Sequence, residues 1–310
     1  MIPIVIIGAG IAGLACARRL ADAGLAAVLL DKGRGVGGRV ATRRMGDMQF
    51  DHGAQYVTAQ SAGFAALLGA LGKAGSLADW HDGTGRKHSV GTPGMSAIPK
   101  ALGVGLDIRQ GAQVVRLVPD GGGWALHMDD GMVRSRRVVV TVPAPQVAGL
   151  LGPDHPLVAA LAPVQMAPCL TLMAAITAPA PFVTRQDPDD PLAWIAQDST
   201  KPGRPKGAAA LWVAQAGEAF SQSHLERDAT AITAAMLPLL CDRLGVTKDR
   251  VTQATAHRWR YARVTQALGL PFLRSPDAAL YLGGDWCIGA RVEAAWDSGT
   301  AIANDILARG

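Results

Sequence analysis

The six residues Gly8-Ala9-Gly10-Ile11-Ala12-Gly13 follow an apolar run, Ile2 to Ile7, and precede small and apolar residues at helical spacing. In that setting each glycine has its own use. Gly8 permits a tight turn, Gly10 lets a pyrophosphate approach the backbone, and Gly13 lets a helix pack closely on a strand. The unpaired N–H groups that open such a helix, from Ile11 and Ala12 onward, attract phosphate oxygens. Asp31 lies eighteen residues after Gly13, at the end of a second apolar run. A carboxylate at that point can accept both hydroxyls of an adenosine ribose. A glycine triplet alone is weak evidence; with two strands, a helix and a terminal acid in register it specifies a dinucleotide site.

Which dinucleotide is decided just downstream, at Arg34-Gly35-Val36-Gly37-Gly38-Arg39. Gly38 and its neighbour let the chain pass close over a diphosphate while the Arg39 guanidinium caps it, a feature that favours FAD over NAD. A flexible basic loop would share this composition. Lys32, Arg34, Arg39, Arg43 and Arg44 gather positive charge here, either as a solvated strip or as a field that draws in a polyphosphate.

These residues need a scaffold. Ile2 to Ile7 reads as a central parallel strand, Ile11 to Ala23 as a helix closed by Gly24, and Ala26 to Leu30 as a second buried strand, together one βαβ unit. Met48 to Val57 looks irregular, and Asp79 to Gly94 polar and turn-rich. Helices are expected at Phe64 to Leu71, Ser96 to Leu102, Ser221 to Leu244 and Arg291 to Leu307. Strands are expected at Leu106 to Arg109, Val114 to Val118, Trp124 to Met128, Arg137 to Val142, Cys169 to Ile176, Leu192 to Ala196, Ala208 to Gln215 and Ala279 to Leu282. The fold class is therefore α/β: a Rossmann-type dinucleotide-binding domain with an inserted mixed or antiparallel-sheet α+β substrate domain. Residues 1–75, 95–145 and 276–310 are assigned to the first and residues 76–94 and 146–275 to the second.

Composition excludes other classes. Thirty basic against twenty-five acidic residues give +5, with no basic run interleaved with aromatics, so no nucleic-acid partner is expected. The four cysteines show no metal or redox spacing and read as free thiols of a reducing cytoplasm. The seven histidines show no ligand spacing, so no metal is expected. No apolar stretch is long enough to span a bilayer, so neither is a membrane partner.

The fingerprint, the Gly37-Gly38-Arg39 loop, Asp51-His52-Gly53-Ala54-Gln55-Tyr56 and Gly283-Gly284-Asp285-Trp286 resemble the flavin-containing amine oxidase superfamily. Within it, His257-Arg258-Trp259-Arg260-Tyr261-Ala262-Arg263 and Gly289-Ala290-Arg291-Val292-Glu293-Ala294-Ala295 are similar to the renalase family, especially its bacterial members. The resemblance implies non-covalent FAD, with Gly53, Ala54, Gln55 and Tyr56 along the flavin and the backbone of Val115 at the adenine. It implies Gly284 and Asp285 at the ribityl or pyrophosphate region. The helix opening at Arg291, Val292 and Glu293 would face the flavin O2, where a helix N-terminus stabilises an anionic reduced ring.

The implied activity is oxidation of 2- or 6-dihydro isomers of NAD(P)H, with hydride passing to flavin N5 and O2 reduced to hydrogen peroxide. Aromatisation of the pyridine drives hydride loss, so the chemistry asks for positioning more than for an acid or base. Gln215 stands where family members carry histidine and cannot become cationic near neutral pH. Gln215, Trp259 and Tyr261 are the substrate-pocket candidates, with Trp212 and Trp286 as further aromatic walls. A flavin oxidase of small amines and a non-catalytic flavin-binding protein are the competing readings.

Overall fold

The computed structural model describes residues 1–309. Its larger sheet is built around Ile2–Ile7, flanked in parallel by Val28–Asp31 and by Gly131–Val140. Asp107–Gln110 extends one side and Leu280–Leu282, then Leu273–Arg274, the other. Both faces of the central strands are covered. Ile4, Ile6, Leu29 and Val139 enter one core, whereas Val5, Ile7, Leu30 and Val138 enter a second core on the opposite side. That explains the unbroken apolar runs, because a strand buried on both faces has no polar side to alternate with.

Gly131–Val140 serves two roles. Its first half pairs antiparallel with Gly123–Met128, and from Ser135 onward it pairs parallel with Ile2–Ile7. The helices Ile11–Asp22 and Val292–Ala308 pack together on one face of this sheet. They approach so closely that a Cβ on Gly299 would lie 2.0 Å from the Ala12 carbonyl oxygen. Gly13 is equally constrained: its Cβ would meet the Gly8 carbonyl oxygen at 2.0 Å.

The second sheet is antiparallel throughout, in the order Thr184–Gln186, Trp194–Gln197, Ala210–Gln215, Gln165–Ile176, Val251–Gln266. The helix Ala229–Leu244 covers one of its faces through Ile232, Met236 and Leu240. The opposite face meets Phe50 and, beyond it, the cleft described below. A mixed, largely parallel sheet with an added antiparallel one is the α/β arrangement, Rossmann-type with a second sheet, that the sequence indicated.

Several elements differ from the sequence reading. Met48–Asp51 is a strand, paired with Thr42–Met45. The polar stretch after it holds a hairpin, Leu77–His81 with Lys87–Gly91. The single helix expected from Ser221 is two, Glu218–Ser223 and Ala229–Leu244, because the Asp228 side chain accepts the Ala231 N–H and starts a new N-terminus. The sixteen-residue strand Val251–Gln266 was not anticipated at all. Among the described residues no helix is long and apolar enough to cross a membrane.

Candidate active site

A cleft of about 2000 Å³ runs from the glycine bend to the second sheet. The bend is held by Asp31, whose carboxylate accepts the Ala9 N–H and the Gly33 N–H, both at 2.6 Å. The helix that follows has Gly10 as its cap, with no side-chain acceptor and no acid in its first turn. The space a Cβ would fill at Gly10 is open for 4 Å. A helix terminus with free N–H donors and no side chain in the way suits a diphosphate.

Two further loops are tied to this bend. Gly37 N–H donates to the Ala9 carbonyl, and Ala54 N–H donates to the Arg39 carbonyl. A Cβ on Gly53 would come within 1.9 Å of that same Arg39 oxygen, so only glycine allows the crossing. The Arg39 guanidinium has a partner the sequence did not reveal: it forks onto Asp285 with both distances 2.7 Å, and also donates to the Ala262 carbonyl at 3.0 Å. The two residues therefore form one bidentate ion pair in the cleft wall, with Arg39 30% exposed and Asp285 9%.

Of the expected cofactor contacts, Gly8, Gly10, Ile11, Ala12, Asp31, Lys32, Gly38, Arg39, Gly53, Ala54, Gln55, Tyr56, Val115, Gly284, Asp285, Arg291 and Val292 all line this cleft. At Val115 the ladder slips: Val114 faces Met128 while Arg116 faces His127, leaving Val115 as an extra, unopposed residue. Such a bulge releases backbone groups from the sheet and so offers them to a ligand. The helix Val292–Ala308 opens at the cleft with Arg291 as an uncapped N-terminus.

Two expected cofactor contacts do not reach the cleft. Gly13 serves helix packing, as above. Glu293 is buried with its carboxylate turned to the backbone N–H groups of Gln60 and Ser61, at 2.7–3.0 Å. Burial would raise that carboxyl, but those N–H donors hold it below the ordinary value. The Glu293 side chain thus fastens the loop at Gln60 and Ser61.

The opposite wall comes from the second sheet. One row crosses four strands: Trp194 opposite Gln215, Gln215 opposite Thr171, and Thr171 opposite His257. Trp259 follows two residues on, opposite Cys169. Gln215 donates from Nε2 to the Gly53 carbonyl at 2.7 Å, and Trp259 donates from Nε1 to the His52 carbonyl at 2.7 Å. These candidates therefore anchor the His52–Gly53 turn as well as lining the cleft. Tyr261 sits in an irregularity where four steps of its strand, Trp259 to Arg263, face only two of the neighbour, Cys169 to Ala167. Trp212 and Trp286 are not pocket residues. Both are essentially fully buried, Trp212 against Phe182 and Trp286 with its Nε1 donating to the Val142 carbonyl.

His257 and Trp194 line the cleft and were not singled out from sequence. His257 packs edge-on against His52 and Trp259, with ring centroids 4.8 and 4.3 Å apart. Burial pushes His52 down to about 4, and the nearby His257 ring and Arg43 guanidinium add to the effect through any positive charge they carry. His257 is lowered by burial, then by Arg43 and Arg258. Burial also raises Cys169 to about 11. Near neutral pH this wall presents neutral imidazoles and a neutral thiol. No group of three or more His, Cys, Asp or Glu side chains among the described residues is placed to hold a metal.

Comparison with known proteins agrees with this geometry. Residues 6–71 match an NAD(P)-binding Rossmann-like domain, and residues 63–307 match the model of the flavin containing amine oxidoreductases. Among solved structures, the fold is similar to a proposed protoporphyrinogen oxidase from Exiguobacterium sp. 255-15, at 15% identity and TM-score 0.81, covering 100% of this chain and 99% of that one. Putrescine oxidase bound to putrescine gives 15% identity and TM-score 0.75, and cyclohexylamine oxidase from Brevibacterium oxydans IH-35A gives 14% and 0.74, each with 99% of both chains covered. With a glycine bend, an uncapped helix and a second lining sheet in place, and a family match over 63–307, the chain belongs to the flavin containing amine oxidoreductases as an FAD-dependent oxidoreductase.

Proposed function

We propose that the protein oxidises 2- or 6-dihydro isomers of NAD(P)H, in keeping with its resemblance to the renalases. When bound, FAD supplies a hydride acceptor at N5 and passes the electrons on to O2, giving hydrogen peroxide. The observation that carries the reading is the charge of the cleft. Six lysines and arginines, Lys32, Arg34, Arg39, Lys100, Arg263 and Arg291, line it against three carboxylates, Asp31, Glu218 and Asp285, while Arg258 and Arg260 turn their guanidinium groups to Leu225 and Glu226. A diphosphate-bearing substrate is drawn into such a field, whereas an ammonium is repelled. Size agrees: pockets for one small ligand occupy roughly 300–1,000 Å³, and the cleft is about 2000 Å³.

The residues then divide as follows. Asp31 holds the adenosine ribose of FAD, Ile11 and Ala12 its diphosphate, Val115 its adenine, and Gly53 to Tyr56 together with Val292 its flavin. Gln215, Trp259 and Tyr261 position the substrate ring. Gln215, in place of the family's histidine, orients by hydrogen bond and moves no proton. The lining imidazole of His257 is lowered by its surroundings and the Cys169 thiol is raised, which fits a hydride transfer that needs no charged acid or base.

Its putrescine and cyclohexylamine oxidase neighbours favour a second reading, oxidation of a small amine. Anaerobic mixing with each substrate class decides between them. Bleaching of the flavin by the dihydro isomers, and none by amines, is expected; fast bleaching by amines alone overturns the proposal.

A further inference from the structure

Four ionisable side chains lie behind the His52–Tyr56 turn with no solvent exposure: Asp51, Asp198, Lys201 and Arg204. Asp51 ends the strand Met48–Asp51, while the other three come from the segment that joins two strands of the second sheet. Arg204 bonds Asp51 directly and donates to the Gly91, Pro93 and Pro202 carbonyls. Asp198 accepts the Asp51 backbone N–H at 3.1 Å. Lys201 has three acceptors within reach: Asp198 Oδ1 at 2.6 Å, Asp51 Oδ2 at 3.3 Å and Gln55 Oε1 at 3.2 Å.

The last contact is the informative one. Charge balance in the cluster requires only the two aspartates, the lysine and the arginine, and Gln55 adds nothing to it. The Gln55 amide donates from Nε2 to the carbonyls of Asp51 at 2.5 Å and Gly53 at 3.1 Å. The two ends of an amide are nearly equal in shape, so only partners fix its orientation. An ammonium facing Oε1 excludes the flipped amide, which would set NH₂ against the lysine and oxygen against two carbonyl oxygens. The Gly53 carbonyl also accepts Gln215 Nε2, so the amide orientation is felt at the substrate wall.

We propose that Lys201 is a positioning residue for the flavin-facing turn, acting through the orientation of the Gln55 amide. The proposal rests on the placement of the flavin along Gly53 to Tyr56. In the absence of Lys201 the turn loses the lock on two of its internal bonds, and the backbone along the flavin is no longer held in one arrangement.

The test separates positioning from neutralisation. Lys201→Met alone leaves the cluster with one excess negative charge, whereas Lys201→Met with Asp198→Asn restores balance. Thermal unfolding, FAD titration and visible circular dichroism of the bound flavin are measured on both and on Gln55→Met. The balanced double variant is expected to recover the unfolding temperature of the parent, yet to bind FAD about tenfold more weakly with an altered flavin signal. Gln55→Met should show the same defect, and adding it to the double variant should add nothing. Parental FAD affinity and flavin signal in the balanced variant reduce Lys201 to a counter-ion and refute the proposal. If that variant does not fold, the same result from Gln55→Met refutes it. Ala54→Trp, which fills the cleft beside the turn, tests the underlying placement separately: normal FAD binding there means that the flavin lies elsewhere.

Discussion

Asp31→Ala is expected to remove more than the proposed ribose contact. The carboxylate accepts two backbone N–H groups at 2.6 Å, one from the glycine bend and one from Gly33, so it organises the diphosphate loop before any ligand arrives. Charge-assisted bonds contribute about 1.5–3 kcal/mol each. Asp31 is half-buried, and water replaces part of what is lost. A destabilisation of about 2–4 kcal/mol of the apoprotein follows, or roughly 4–12 °C in melting temperature at about 2–3 °C per kcal/mol for a chain of this size. FAD affinity is expected to fall further, about ten- to a hundred-fold, because the proposed ribose acceptor is gone and the loop must be ordered on binding. Calorimetry of the apoprotein and fluorescence titration with FAD read the two effects separately. An apoprotein that melts with the parent would refute the organising role, and unchanged FAD affinity would refute the ribose assignment.

Other perturbations test other parts of the structure. Gly299→Ala forces a methyl to 2.0 Å from the Ala12 oxygen, so the two long helices must separate; a loss of about 3 kcal/mol or more in urea unfolding is expected from overpacking against backbone. His52 has its pKa lowered from 6.5 to about 4, so it is neutral in the folded state where the unfolded chain binds a proton. Its contribution is present above pH 6.5 and is lost as the pH falls toward 4, about 2 kcal/mol of it between pH 7 and pH 5; His52→Gln should flatten that part of the stability–pH curve, measured by urea unfolding at both values. Arg39→Met and Asp285→Asn should each weaken FAD binding, and the double variant should lose less than the sum, with a coupling of about 0.5–3 kcal/mol from titrations of all four proteins.

How much of this was legible in the sequence varied with the range of the interaction. The βαβ unit and Asp31 could be read directly, because strand, bend, helix and acid follow one another within 31 residues. The strand Val251–Gln266 was hidden by its own alternation. His257 and Trp259 face the cleft, while Arg258 and Arg260 reach Leu225 and Glu226, so neither side carries the aliphatic signature of a strand. Trp212 could have been separated from Gln215 by parity, since residues three apart on a strand point to opposite faces. Glu293 stood beside a recognisable motif, but its partners Gln60 and Ser61 lie more than 230 residues earlier. The Asp51–Lys201–Arg204 cluster joins residues about 150 positions apart, and nothing local marks them.

The long edge strand leaves little tolerance for insertion or deletion. Its side chains alternate between aromatic or imidazole rings and guanidinium groups, and only ladder pairing with Gln165–Ile176 fixes which set meets the cavity. Adding or removing one residue ahead of His257 would exchange the two sets, replacing an uncharged aromatic panel with a cationic one while the sheet itself could still form. Length variation in this lineage should therefore collect in the exposed turns around residues 205–208 or 269–271 and stay out of 251–259, even though most of that stretch lies on a sheet border where indels are usually harmless.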